Sequence, residues 1–384
     1  MNHDPSLDIA AHLVQARQYA QAESLLIPIV QTAPNHPKAW QLLAQISTET
    51  GKYTQGLFAA WQANSLQDSA DMQALFARCL NHVAITAHDP QLQTAVARAV
   101  AETWGAPAEL AEQAGKLLKH DPLIQKHLPP RDDAHLTADY IAALNQHALL
   151  HALLQSAPVC DLALEGFLTT LRKTLLLNPE CVKRALPLAA SLAQQCFINE
   201  YIYPVSAAES TALQTLRTTV RNTPHPTPEQ RVLLACYHPL HRIEGADDWL
   251  HLAWPQPVDA ILRQQIREPQ TEAQLATAMP SLTPISDGVS QAVQAMYEES
   301  PYPRWVRAPK AGAPQSLNAF LSTAFPLSAF TPLACDNPLH VLIAGGGTGQ
   351  HPLHTAQRFT GAQVQVIDLS RRSLAYAQRK TQEL

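Results

Sequence analysis

Residues 338–384 read PLHVLIAGGGTGQHPLHTAQRFTGAQVQVIDLSRRSLAYAQRKTQEL. The run 341–344, Val-Leu-Ile-Ala, is apolar without alternation, which predicts a short strand of a buried parallel sheet. Gly345, Gly346, Gly347 and Gly349 follow at once, and these are four of only 13 glycines in the chain, so bare backbone is concentrated at one bend. Residues 352–358 have a helical pattern, and 363–367, carrying Val364, Val366 and Ile367, predict a second strand ended by Asp368. A second helix follows, in which Leu374, Ala375 and Ala377 suit close packing on a sheet. The stretch is one β-α-β-α unit.

A glycine bend lets main chain approach a ligand, and a carboxylate at the end of the next strand accepts hydrogen bonds from two ribose hydroxyls. Gly349 and Asp368 are nineteen residues apart, close to the offset of about twenty that such a pairing needs. A dinucleotide loop, GxGxxG, requires its third glycine at position 350 when counted from Gly345. The residue there is Gln350, which makes a nicotinamide or flavin dinucleotide the poorer fit among nucleoside cofactors.

The GxGxG bend followed by IDLSRRSLAYAQRK (366–380 with its preceding valine) resembles motif I and the acidic strand end of the class I S-adenosylmethionine-dependent methyltransferases. The resemblance implies S-adenosylmethionine as cofactor, with Gly345, Gly346, Gly347 and Gly349 forming the bend beneath its methionine part. Asp368 would hold the ribose hydroxyls and Leu369 would lie against adenine. It assigns no catalytic residue. Ile343 stands where many relatives carry an acid, and Gly346 where many carry cysteine. The family's domain has a sheet of about seven strands around a central crevice. Two strands precede Leu384, so the chain is expected to be a truncated form with one wall to its crevice and impaired catalysis. The first strand is expected to present an unpaired edge through which chains associate, and the segment SLNAFLSTAF (316–325) to cover one face of the sheet.

At the other end the chain repeats itself. With an offset of 34, Tyr19 matches Tyr53, Ala22 matches Gly56 and Ala10 matches Ala44. Residues 37–65, PKAWQLLAQISTETGKYTQGLFAAWQANS, predict a helix with Trp40, Leu43 and Ile46 inward, a Gly51-Lys52 turn, and a helix with Leu57 and Trp61 inward. Small residues at Ala44 and Gly56 allow close approach. This pattern resembles the tetratricopeptide repeat over residues 5–70, with a degenerate third unit at 71–87 that later helices cap. Such repeats either dock a protein or peptide or act as a spacer.

Between these ends the pattern stays helical, as in YIAALNQHALLHALL (140–154) and LALEGFLTTLRKTLLL (162–177), with boundaries at Asp121-Pro122, Ala157-Pro158 and Asn178-Pro179. Prolines such as Pro224, Pro226 and Pro228 separate helices. The segment YEESPYPRW (297–305) is an extended aromatic strap; it either clasps a core or covers a pocket with Arg304 available to a carboxylate, and its composition favours the clasp. Together with AGGGTGQ (344–350) and ACYHPL (235–240), it resembles bacterial proteins that join tetratricopeptide repeats to a methyltransferase domain.

The whole chain thus reads as mainly α: helical repeats over 1–120, a helical region over 121–295, a connector over 296–312, and an incomplete Rossmann-like unit over 313–384. A net charge of −5 gives no cationic surface for nucleic acid. No membrane span or secretion signal is evident, and a cytoplasmic location is expected. Cys79, Cys160, Cys181, Cys196, Cys236 and Cys335 lie at least fifteen residues apart and read as free thiols, and His351 and His354 share a helix face without a third metal ligand. The resulting expectation is a methyltransferase acting on protein or peptide presented by the repeats, the alternative a non-catalytic adaptor.

Overall fold

The computed structural model describes residues 5–129, 136–223, 225–309, 312–333 and 338–384; Pro224 and Cys335 lie outside them. Among the described residues the fold is mainly α, with twenty-one α-helices and one two-stranded parallel sheet. No helix among them is long and apolar enough to cross a membrane. The chain divides into two compact units, Met1–Ala134 with Gln146–Phe167, and His135–Asn145 with Leu168–Leu384.

In the first unit, helices Pro5–Gln15, Tyr19–Thr32, Pro37–Glu49, Tyr53–Leu66 and Ala70–Leu80 pack each against the next. Their connections are short, so neighbours run antiparallel. The offset of 34 is visible in the turns. Arg17 and Gly51 both take left-handed backbone, with φ of 58° and 73°. Gln18 N–H reaches back to the Leu13 carbonyl at 2.8 Å, and Lys52 N–H to that of Ser47 at 2.7 Å. Each bond closes the end of one helix and starts the next at Tyr19 or Tyr53. Glycine suits that conformation and arginine resists it by roughly 1–2 kcal/mol, an effect partly offset by glycine's freer unfolded chain. Urea unfolding is therefore expected to show Arg17→Gly gaining and Gly51→Ala losing up to about 1 kcal/mol.

Leu43, Ile46, Leu57, Ala44 and Ala22 are buried, and a Cβ on Gly56 would stand 2.9 Å from Cys79 Sγ and 3.2 Å from Thr48 Oγ1. Trp40 and Trp61 are only half-buried. Trp40 turns its indole N–H onto the Pro34 carbonyl at 2.7 Å and meets Phe58 edge-on. Trp61 lies beside Phe76 and Trp104. An indole keeps its polar edge where an acceptor or water is found, which holds both rings partly outward.

The stretch 140–154 is two helices, Ala138–Leu144 and Ala148–Leu154. Side chains at the interruption serve two different helices, Asn145 the start of Leu186–Ile198 and His147 the start of Ala148–Leu154. Asn145 Oδ1 accepts Leu188 N–H at 3.0 Å, and His147 Nδ1 accepts Leu150 N–H at 3.2 Å. Capping by His147 competes with helix continuation, and apolar spacing carries no trace of it.

In the second unit, helix Leu186–Ile198 packs on helices Pro228–Ala235 and Gln256–Leu262. A π-helical turn, Arg263–Arg267, continues into helix Glu268–Ala278. Fully buried Gln265 on that turn donates to the Ala193 and Ala235 carbonyls and accepts from Leu240 N–H and the Tyr201 hydroxyl. Nearby, Arg172 and Glu209, each 1 % exposed, form an ion pair at 3.2 Å. The Tyr237 hydroxyl donates to the same Glu209 oxygen at 2.7 Å, and Ser206 N–H to the other at 2.8 Å.

Strand β1 (Leu339–Ala344) pairs in parallel with strand β2 (Ala362–Ile367), with Leu339 opposite Ala362 and Ala344 opposite Ile367. The sheet is not buried on both faces: Ile343 is buried, but Leu342 is 64 % exposed and Gln363 and Gln365 are open. The alternation that the aliphatic run concealed shows in β2, whose sequence alternates glutamine with valine. Helix Leu317–Ala324 has no buried residue and meets the unit through Phe320 against Phe359, so the face carrying Leu342 stays open.

Candidate functional site

Helix Gln350–Arg358 follows β1, and helix Arg371–Gln382 follows β2 and packs on helix Glu268–Ala278. The four glycines between β1 and the first of these helices do two different things. Gly345 and Gly347 take φ of 74° and 52°, and a Cβ on either would point into open space. These two residues offer bare main chain to a ligand. A Cβ on Gly346 would come within 2.1 Å of Val366 Cγ1, and one on Gly349 within 2.5 Å of Ala377 Cβ. Those two glycines let strand and helices close on each other. Gly349 therefore permits the helix contact that a dinucleotide loop obtains one position later.

Asp368 closes the bend. Its Oδ2 accepts Gly347 N–H at 2.8 Å, and its Oδ1 accepts Ser370 N–H at 2.9 Å. Gly345 and Gly346 N–H both point to the Ile367 carbonyl, at 2.8 and 3.2 Å. A carboxylate accepts about four hydrogen bonds, so two directions remain on Asp368 for hydroxyls. The bend, the open Cα positions and the residual acceptors fit a ribose-bearing cofactor. Leu369 is 42 % exposed beside them, with its carbonyl accepting Gln294 Nε2 at 2.9 Å.

The strap 297–305 clasps this bend. Trp305 is buried and donates its indole N–H to the Thr348 carbonyl at 2.8 Å, between Gly347 and Gly349. Its own carbonyl accepts the Tyr376 hydroxyl at 2.6 Å, and Lys380 lies over its ring while donating to the Val306 carbonyl at 2.8 Å. Burial holds the Tyr376 hydroxyl well above the ordinary phenol range, so it remains a donor. Arg304 is not offered to a ligand carboxylate: its Nε bonds Glu200 and its guanidinium covers Phe197. Glu298 Oε1 accepts Arg371 and Arg372 N–H at 2.5 and 3.4 Å, placing a carboxylate at the positive end of the helix after Asp368.

Sequence reasoning missed Gln294, Glu298, Thr348 and Tyr376. Glu298 lies inside the strap and Tyr376 inside the stretch after Asp368, but each meets a partner more than seventy residues away and so carries no local signal. His354 is shifted down by burial, then by Arg358 and His351, and is a neutral imidazole at pH 7. Among the described residues no group of three or more His, Cys, Asp or Glu is arranged to hold a metal. Five cysteines are free among these residues, with Cys79, Cys196 and Cys236 buried and Cys160 exposed. Burial pushes the Cys196 thiol up to about 12. No known protein-family model, curated protein or solved structure matches the chain.

Proposed function

We propose that the chain belongs to the class I S-adenosylmethionine-dependent methyltransferase lineage, with residues 338–384 forming a Rossmann-like cofactor unit and helical repeats that dock a protein or peptide. The observation that carries this reading is Asp368, bonded to Gly347 N–H at 2.8 Å across a bend whose Gly345 and Gly347 have open Cα positions. Gly345, Gly346, Gly347 and Gly349 would shape the seat of the methionine part, Asp368 would accept the ribose hydroxyls, and exposed Leu369 would lie against adenine. When bound, S-adenosylmethionine supplies a methyl group on a positively charged sulfur. The chain's own part is orientation. Asp368 has its carboxylate plane fixed by two main-chain donors, and Trp305 fixes the Thr348 carbonyl, so acceptors and bend are set before a ligand arrives.

Calorimetric titration with S-adenosylmethionine is expected to show saturable binding that Asp368→Ala weakens at least ten-fold, about 1.4 kcal/mol. Equal heats from the two proteins would remove the assignment. The adaptor reading draws on the turns repeated at Arg17 and Gly51, which support a helical array whether or not cofactor binds; absence of any heat would leave it standing alone.

A further inference from the structure

The opening turn of helix Arg371–Gln382, just past Asp368, has every amide taken by the protein itself. Ser370 N–H bonds Asp368 Oδ1 at 2.9 Å, Arg371 and Arg372 N–H share Glu298 Oε1 at 2.5 and 3.4 Å, and Ser373 N–H bonds Ser370 Oγ at 3.0 Å. The start of a helix leaves such N–H groups without intrahelical acceptors, and its dipole favours an anion there. Here the anions are two carboxylates of the chain. They are held on consecutive amides, so Asp368 and Glu298 are near neighbours.

Glu298 comes from another element, helix Gly288–Glu299. Gln294, one turn earlier on the same face, donates to the Leu369 carbonyl at 2.9 Å. Bonds from that one face thus reach both sides of Ser370 and fix where the Glu298 carboxylate stands. The sequence of the turn would otherwise suit a phosphate. In a βαβ unit whose second strand ends in a ribose-binding acid, an arginine nearby accommodates a 2′-phosphate where one is taken. Arg371, exposed, and Arg372 follow Asp368 here, and arginines beside open helix amides make a phosphate seat. The amides are filled, however, and Asp368 with Glu298 balances the two arginine charges. A phosphate dianion would find no main-chain donor and would meet two like charges.

We infer, on the reading that Asp368 holds the ribose hydroxyls, that Glu298 is a specificity-determining residue that closes the ribose end of the site to a 2′-phosphate. The cofactor is then an adenine nucleoside with both ribose hydroxyls unsubstituted.

Adenosine, adenosine 2′-monophosphate and adenosine 5′-monophosphate are set to displace S-adenosylmethionine in calorimetry on the full chain, unchanged and as Glu298→Gln. Glutamine keeps an oxygen for the Arg371 amide and removes the charge. In the unchanged protein the 2′-monophosphate is expected to compete about ten-fold more weakly than adenosine. In Glu298→Gln that preference is expected to shrink about five-fold. The preference over the 5′-monophosphate, whose phosphate lies toward the glycine bend, is expected to change less than about two-fold. Each preference is a ratio taken on one protein, so a loss of folded material does not move it. Equal competition by adenosine and its 2′-phosphate in the unchanged protein, or a preference untouched by Glu298→Gln, would overturn the inference and leave Asp368 its ribose. An equal change for the 5′-phosphate would reveal a field acting on any anion and would overturn it as well. Failure of S-adenosylmethionine itself to bind would remove the ribose assignment and the inference together.

Discussion

Arg172→Ala is expected to destabilise the second unit by about 3–5 kcal/mol, the range for removing one partner of a buried ion pair. The guanidinium donates to the Tyr203 and Pro204 carbonyls as well as to Glu209, and lies 4.3 Å over the Tyr237 ring. Its loss would leave Glu209 ionised and buried with only hydroxyl and main-chain donors. Urea unfolding followed by circular dichroism reads the effect, and a loss under 1 kcal/mol would show that water or rearrangement replaces the cation. The network also sets an acid limit. Burial pushes the Glu209 carboxyl up, but Ser206, Tyr237 and Arg172 outweigh it and hold the carboxyl below its ordinary 4.5. A carboxyl whose folded value lies below its unfolded one contributes stability that is complete above the unfolded value and fades as pH falls through the folded one. Stability is therefore expected to decline below pH 4.5, and in Arg172→Ala that decline is expected to shrink, because the folded carboxyl loses a cation that held it below its unfolded value.

Gly349→Ala is expected to cost about 3 kcal/mol through two separable effects. A Cβ there would stand 2.5 Å from Ala377 Cβ and 3.0 Å from Ala377 Cα, and φ of 92° disfavours any side chain. The first effect is steric and partly removable; the second belongs to the backbone. Combining the substitution with Ala377→Gly is expected to restore part of the loss and to leave about 1 kcal/mol from the strained torsion. Full recovery would show that the torsion relaxes, and no recovery would show that the helices are not in contact as described.

The β-α-β-α unit was legible because its signals are local: apolar runs of strand length, a glycine cluster and one acid at a fixed distance. The repeat was legible for the same reason, since Tyr19 and Tyr53 each begin a second helix. What escaped depends on partners distant in sequence. Trp305 bonds a carbonyl forty-three residues away, and Glu298 reaches amides more than seventy residues on. Leu342 carries no sign that its face is uncovered, because an apolar strand reads the same whichever side is packed. Gln264 and Gln265 are adjacent and chemically identical, yet one is fully satisfied and the other is left with an empty acceptor. Their difference lies in which carbonyls and amides each meets in space, and neither composition nor periodicity encodes that.

The interruption at Asn145 to His147 has a consequence for how the polypeptide matures. Helix Ala138–Leu144 belongs with residues that begin at Leu168, while the segment Gln146–Phe167 returns to what was made earlier. During synthesis the short helix emerges ahead of every later piece it joins, and the bond from Leu188 N–H to Asn145 Oδ1 closes only forty-three residues later. The first unit is complete only once Phe167 has left the ribosome. No single cleavage between the units yields both intact.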